Sequence, residues 1–222
     1  MLAGKQIVIT GANGALGSAA VERALAHGAS VIGVDLMFAG STNKVHQISV
    51  DLTDMEATKK ALGGIDRVDA ICNIAGGFSM GPQVHALDNA EWDRLFAMNV
   101  TTMRHVNAAL IPKMLQQKSG KIVNVGALSA REGQGHMGAY CAAKSTVMRL
   151  TESLSKELRA DGINVNAVLP SIIDTPTNRN DMPDANFSQW VAPSALAEVM
   201  LFLCSDAAQP IHGALLPVPG LS

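Results

Sequence analysis

A doubly wound parallel sheet of about seven strands, with helices on both faces and folded as one α/β domain over residues 1–222, is the architecture the sequence predicts. Three observations predict it. Apolar, β-rich runs alternate with helical patterns from end to end, as in a chain of βαβ units. The strand runs are continuously apolar rather than alternating, which suits strands covered on both faces. Hydrophobic residues make up 48% of the 222 and charged residues 16%, enough to bury a large core around a single sheet.

The elements follow in order. Gln6–Thr10 reads as a strand and Ala15–His27 as an amphipathic helix that stops at Gly28. Ser30–Asp35 is a second strand, Val45–Val50 a third and Met55–Leu62 a short helix. Arg67–Asn73 is a fourth strand, followed by a glycine-rich loop from Gly76 to Gly81. Asp88 and Glu91 have capping-box spacing and open a long helix running towards Pro112. Lys121–Val125 is a fifth strand, Ala139–Ala160 a second long helix and Ile163–Leu169 a sixth strand. A polar segment from Ser171 to Gln189 precedes a helix near Pro193–Cys204 and a last strand near Leu215–Val218.

Charge and composition exclude several functions. Seventeen basic and 19 acidic side chains give a net charge of −2, so no basic field addresses nucleic acid or an anionic membrane. No run approaches the roughly 18 apolar residues that span a bilayer. The apolar run Ile7–Ile9 is too short for a signal peptide, so a cytoplasmic protein is expected. Cys72, Cys141 and Cys204 have neither disulfide-framework nor zinc spacing and read as small buried hydrophobes. The six histidines show no metal-ligand spacing, so no metal site is expected.

The first strand runs straight into Thr10-Gly11-Ala12-Asn13-Gly14-Ala15-Leu16-Gly17 and then a helix. Backbone N–H groups at a helix N-terminus attract an anion, and glycine lets a pyrophosphate approach the backbone. At the head of a βαβ unit this pattern points to a dinucleotide. Strand two ends in Asp35, eighteen residues after Gly17, where a carboxylate accepts ribose hydroxyls and repels a 2′-phosphate. The nearest following base is Lys44, so NAD(H) is expected in preference to NADP(H).

The single tyrosine of the chain, Tyr140, is followed four residues later by Lys144 at the start of a helix. Positions i and i+4 share a helix face, so phenol and ammonium can address one ligand. A phenol ionises near pH 10, and a neighbouring positive charge brings that down towards the working range of a proton donor and acceptor.

With these residues in view, the sequence resembles the short-chain dehydrogenase/reductase family along nearly all of its length. Thr10–Gly17 is similar to the family's Thr-Gly-x-x-x-Gly-x-Gly, Asp51-Leu52 to its adenine-flanking pair, and Asn73-Ile74-Ala75-Gly76 to its Asn-Asn-Ala-Gly. Asn99 matches the helix asparagine, Tyr140 and Lys144 the catalytic pair, and Pro170–Thr175 the Pro-Gly-x-x-x-Thr segment. The resemblance implies a Rossmann fold and hydride transfer between nicotinamide and a small carbonyl or alcohol. Tyr140 would exchange the proton, Lys144 would hold the ribose and lower the phenol's pKa, and Asn99 would position a water linking Lys144 to solvent. The implied cofactor contacts are Gly11, Asn13, Ala15, Leu16, Asp35, Asp51, Leu52, Asn73, Ala75, Gly76, Tyr140, Lys144, Pro170, Ile173 and Thr175. It also implies a homodimer or homotetramer paired through Asn89–Met114 and Ala139–Ala160.

The sequence departs from the family at several positions. Ala15 stands for the second motif glycine, and Ser171 for the glycine after Pro170. Only 15 residues separate Asp35 from Asp51, so the second crossover helix is expected to be lost or shortened. A brief lid is expected over residues 176–192. The family's catalytic serine lies thirteen places before the tyrosine, and here that position is Ala127, with Ser129 two places on. Either Ser129 reaches in by a local shift or the substrate does without the hydroxyl, and the second is favoured. Ala127, Ser129, His136 and Met182 are the candidate substrate contacts. Dihydropteridine reductases, a branch of the family, also lack the serine and are similar at Gly14–Gly17 and Ala75–Gly77, which leaves reduction of a conjugated imine as an alternative. A catalytically inactive dinucleotide-binding sensor or scaffold is the alternative of another class.

Overall fold

The structure is a computed structural model that describes residues 1–38, 40 and 43–222. Its strands are β1 (Gln6–Thr10), β2 (Ser30–Asp35), β3 (His46–Ser49), β4 (Ala70–Asn73), β5 (Gly120–Val125), β6 (Ile163–Pro170) and β7 (Leu215–Val218). They form one sheet in the order β3-β2-β1-β4-β5-β6-β7, parallel throughout, as the sequence predicts. The helices are α1 (Ala15–Ala26), α2 (Met55–Gly63), α3 (Asn89–Phe96), α4 (Thr102–Gln117), α5 (Gly138–Leu158), α6 (Pro176–Asp181) and α7 (Pro193–Leu203). None of the helices among the described residues is long and apolar enough to cross a membrane.

The continuous apolar strands have a direct structural cause. Along β1, Ile7 and Ile9 enter the core on the side of α1 and α7, with Leu196 and Met200. Val8 enters the opposite core, with Leu62 of α2 and Leu110 and Met114 of α4. Both faces are therefore buried, and the polar residues that β5 and β6 do carry are hydrogen-bonded, Asn124 donating to Thr151 at 2.8 Å and Lys121 to Asn164 at 2.6 Å. The chain steps outward from β1 to β2 and β3, then returns to place β4 on the other side of β1. Loops leaving the carboxyl ends of β1 and β4 thus diverge and open a crevice.

The start signal at Asp88 acts as read, accepting the N–H of Glu91 at 2.7 Å, and Asp54, which the sequence reading did not single out, caps α2 by accepting the N–H of Ala57 at 3.0 Å. The expected loss of a helix after Asp35 holds, in that no helix lies between β2 and β3 among the described residues. Phe38 and Val45 cover the sheet there instead: a Cβ built on Gly33 would lie 3.6 Å and 3.3 Å from their side chains.

Three expectations need correction. The long helix does not stop near Pro112; α4 carries that proline inside it and ends at Gln117. Pro112 cannot donate to the Ala108 carbonyl, but both residues are exposed, so water can satisfy the orphaned oxygen. The fourth strand starts at Ala70 rather than Arg67, because the Gln117 side chain takes both backbone groups of Val68. The polar segment after β6 contains a helix, α6, whose Thr175 cap and Pro176 at its first turn are readable start signals.

Candidate active site

The crevice is built by close backbone contacts. Gly11 has φ of +65°, and a Cβ on it would sit 3.0 Å from the Ala75 nitrogen, so the turn after β1 lies against the loop after β4. Thr10 Oγ1 clamps the two together by accepting the N–H groups of Ile74 and Ala75, each at 3.0 Å. A Cβ on Gly17 would fall 1.9 Å from the Gly11 oxygen, so the first turn of α1 is pressed onto the preceding loop. Relieving that overlap requires backbone movement. Gly17→Ala is expected to lower the unfolding free energy by about 2–3 kcal/mol, the upper range for overpacking, as read by urea denaturation.

The dinucleotide-facing positions divide by how they can act. Asp35, at the end of β2, accepts the Asn13 N–H at 2.8 Å and the Leu36 N–H at 2.7 Å, which ties the loop containing Asn13 to the strand end. Gly14 caps α1, so Ala15 and Leu16 open the helix with N–H groups available to a phosphate. Leu16 is buried in the core and has only its backbone to offer. Asp51 is exposed and accepts both the N–H and the hydroxyl of Thr53, which hold its pKa below the ordinary carboxylate value. Leu52 beside it is buried, and its carbonyl accepts from His105 Nδ1 at 2.9 Å.

Asn73, expected among the cofactor contacts, closes β4 with its side chain buried. Its amide turns inward and donates to Asn107 at 3.1 Å and Asn124 at 2.9 Å, so it bridges β4, β5 and α4. Ala75 and Gly76 carry the crevice wall after it. Pro170 closes β6 beside Val218. The Ile173 carbonyl accepts from Asn178 at 2.7 Å, and Thr175 Oγ1 accepts the Asn178 N–H at 3.2 Å as the cap of α6.

Asn99 lies in one widened helical turn, Ala97–Thr101, between α3 and α4. Such π-type turns shift a side chain's direction and recur at functional sites. Its side chain is committed to backbone: Oδ1 accepts the Gly77 N–H at 3.2 Å, and Nδ2 donates to the carbonyls of Gly77 and Leu95 at 3.0 Å. Lys144 meets the same spot. A Cβ on Gly76 would lie 2.6 Å from Asn99 Oδ1 and 3.5 Å from Lys144 Nζ. The Lys144 ammonium is buried and donates to the Val125 carbonyl at 2.8 Å, and burial lowers its pKa from 10.5 to about 8.

Tyr140, one turn earlier on α5, makes a T-shaped contact with Phe78, with ring centroids 4.9 Å apart at 81°. No hydrogen bond reaches its hydroxyl from the described residues. Burial pushes the phenol's pKa well above its ordinary value, the reverse of the lowering expected from Lys144. The ammonium is engaged by a strand carbonyl, so desolvation of the phenol dominates.

A narrow recess beside Tyr140 is lined by the glycine-rich loop, α3 and the start of α5. His136 lines it, with φ of +62° and Nδ1 donating to the Gly81 carbonyl at 3.2 Å. Ala127 is buried at the end of β5, and neither Ser129 nor Met182 lines the recess. Ser129 is half-buried in the turn Leu128–Arg131, where its carbonyl accepts from Cys141 Sγ at 3.5 Å. The three cysteines are free and buried, as expected, and Cys72 and Cys204 have sulfurs 3.6 Å apart. Sequence reasoning missed the anchoring by His105 and the contact with Phe78; a lone aromatic in a glycine-rich loop was the available signal for the latter.

A family model described as short chain dehydrogenase matches residues 5–186. The chain belongs to the short-chain dehydrogenase family. It is an NAD(P)-dependent oxidoreductase. Over 241 residues this dehydrogenase is 32% identical to the short chain dehydrogenase adrF of Penicillium rubens, covering 96% of this chain and 94% of that one. Its fold is similar to carveol dehydrogenase from Mycobacterium avium in complex with NAD, with a TM-score of 0.88, 28% identity and coverage of 99% and 97%. The same holds for a Beutenbergia cavernae structure assigned as an NAD(P)-dependent gluconate 5-dehydrogenase with bound NADP, at a TM-score of 0.90, 26% identity and coverage of 99% and 96%.

Proposed function

We propose that this dehydrogenase interconverts a small carbonyl compound and its alcohol, uses NAD(H) in preference to NADP(H), and moves the proton through Tyr140 supported by Lys144. The observation that carries the reading is the Tyr140 hydroxyl. It is the chain's one phenol, it has no partner among the described residues, and it stands one turn from a buried ammonium at the carboxyl edge of the sheet.

The crevice fits a dinucleotide. The α1 N-terminus, the Gly11–Ala75 contact and the Asp35 carboxylate would receive pyrophosphate, backbone and adenosine ribose respectively, with Asp51 and Leu52 bordering the adenine. A reduced nicotinamide held there would supply the hydride, with its two electrons, that the carbonyl carbon takes up. Tyr140 Oη gives its proton to the carbonyl oxygen, and the alcohol leaves with both hydrogens. In the oxidative direction Tyr140 takes that proton back. A half-buried, protonated phenol is already the form that donates. Lys144 supplies the positive charge that stabilises the phenolate left behind. Asn99 holds Gly77, and so the loop facing Tyr140, in place.

The chemistry runs without the serine hydroxyl, since Ala127 occupies its place and Ser129 does not line the recess. We also infer that copies pair through α3, α4 and α5, where Trp92 stacks on Phe96 at 4.8 Å and remains 39% exposed.

Asp35 is followed by Leu36 and not by a base, so a 2′-phosphate would face a carboxylate with no base next to it in sequence. Calorimetry is expected to show NADH binding at least about tenfold tighter than NADPH, with Asp35→Ala erasing most of the gap. Equal affinities in the parent protein would remove this role for Asp35.

A further inference from the structure

His105 differs from the other buried polar residues of α4 because the carbonyl it meets belongs to the loop given the adenine. The residue is 8% exposed, and Nδ1 lies 2.9 Å from the Leu52 carbonyl, 53 residues earlier in the chain. A carbonyl can only accept, so Nδ1 carries the proton and donates. The same peptide unit is held at its other end. Its N–H, that of Thr53, donates to Asp51 Oδ1 at 2.8 Å, and the Thr53 hydroxyl donates to the same oxygen at 2.7 Å. One planar peptide thus links a buried imidazole on α4 to the exposed Asp51 carboxylate.

The anchors on either side show why this bond matters. Val50 is tied to the end of β2, its N–H donating to the Asp35 carbonyl at 2.9 Å, and Asp54 is tied to α2 as its cap. Leu52 lies between these anchors, with its side chain in the core that Leu62 and Val106 share. Among the described residues, His105 supplies the hydrogen bond that fixes the Leu52–Thr53 peptide from outside this loop. Without that donor the buried carbonyl would be unpaired, and the cost of an unpaired acceptor would turn the peptide towards water. Turning it would swing the Thr53 N–H away from Asp51 Oδ1 and release the carboxylate.

We propose that His105 is a positioning residue for the cofactor, aiming the Asp51 carboxylate at the adenine through the Leu52–Thr53 peptide. The aim is selective. A fixed carboxylate accepts from the amine of adenine and repels the carbonyl oxygen that hypoxanthine carries in its place. The inference rests on the reading of Asp51 as bordering the adenine.

Binding of NADH and of reduced nicotinamide hypoxanthine dinucleotide is measured by calorimetry, without a substrate. The parent protein is expected to favour NADH by about threefold or more. His105→Leu fills the core without a donor and should weaken NADH by about three- to tenfold, bringing the ratio of the two affinities close to one. His105→Asn carries an amide N–H as many bonds from Cβ as Nδ1 is and should restore both affinity and ratio. In the parent, with an NMR-active nitrogen isotope in its histidines, saturating NADH should shift the His105 Nδ1 resonance, a readout that needs no variant. A folded His105→Leu protein that keeps the parent ratio, equal weakening in both His105 variants, or an unmoved resonance would each overturn the role of His105. Asp51→Asn separates the two claims. An unchanged ratio in that variant would remove Asp51 from the adenine and the inference with it, whereas a narrowed ratio there beside an unaffected His105→Leu would overturn the inference alone.

Discussion

Tyr140→Phe is expected to cut carbonyl reduction by about 10²–10⁴-fold, the usual contribution of a positioned general acid, while NADH affinity stays within about twofold. The size of the loss follows from what surrounds the phenol. The sequence contains no other tyrosine that could take over the proton. Phenylalanine keeps the ring, its edge contact with Phe78 and the packing of α5, so folding should be preserved. Steady-state kinetics beside calorimetry with NADH separates a lost proton from a lost cofactor. A variant that still turned over at the parent rate would show that another group moves the proton.

Lys144→Met should abolish turnover to a similar degree and yet raise the melting temperature. Burial lowers the lysine's pKa from 10.5 to about 8, so the fold disfavours the charged form by about 3 kcal/mol at neutral pH. Methionine removes that cost and forfeits the bond to the Val125 carbonyl, worth about 1–3 kcal/mol when left unmade in the interior. The net gain, up to about 2 kcal/mol, corresponds to a rise of up to roughly 8 °C for a chain of this size. The pH dependence has a definite sign. Below pH 8 both states hold the proton and the penalty is complete. Between about pH 8 and 10.5 the unfolded lysine holds more charge than the folded one, so parent stability climbs with pH and the advantage of the variant shrinks. Above about pH 10 Tyr140 works the other way, because its raised pKa means the unfolded phenol ionises first. Thermal melts of parent and variant from pH 7 to 10 read the crossover, and a melting temperature well below the parent's at pH 7 would contradict it. Buried charge kept at a cost in stability is what a working residue looks like, since a structural position would tolerate the methionine.

Much of this was legible before any coordinates. The order of strands and helices could be read because strands such as β1 and β2 carry apolar runs whose residues enter two separate cores. The cap at Asp88 marked a helix start by chemistry that acts over three residues. What could not be read depends on partners far away in the sequence. The start of β4 was set by Gln117, 49 residues downstream of Val68. The inward turn of Asn73 was set by Asn107 and Asn124 on other elements. The Tyr140–Lys144 spacing was visible on one helix, but the direction of the phenol's pKa was not, because it depends on the burial that the Phe78 loop and α5 create together.

The central claim is that Tyr140 and Lys144 carry the proton chemistry with no serine hydroxyl beside them. Ser129→Ala tests it most directly, by following NADH oxidation with a carbonyl substrate that the parent protein reduces. Loss of a needed oxyanion hydrogen bond would cost about 10²–10³ in rate. Because Ser129 does not line the recess, the account predicts that the variant consumes NADH at the parent rate within about twofold. A variant that binds NADH normally but loses turnover by a hundredfold or more would place a serine back in the site and contradict the account.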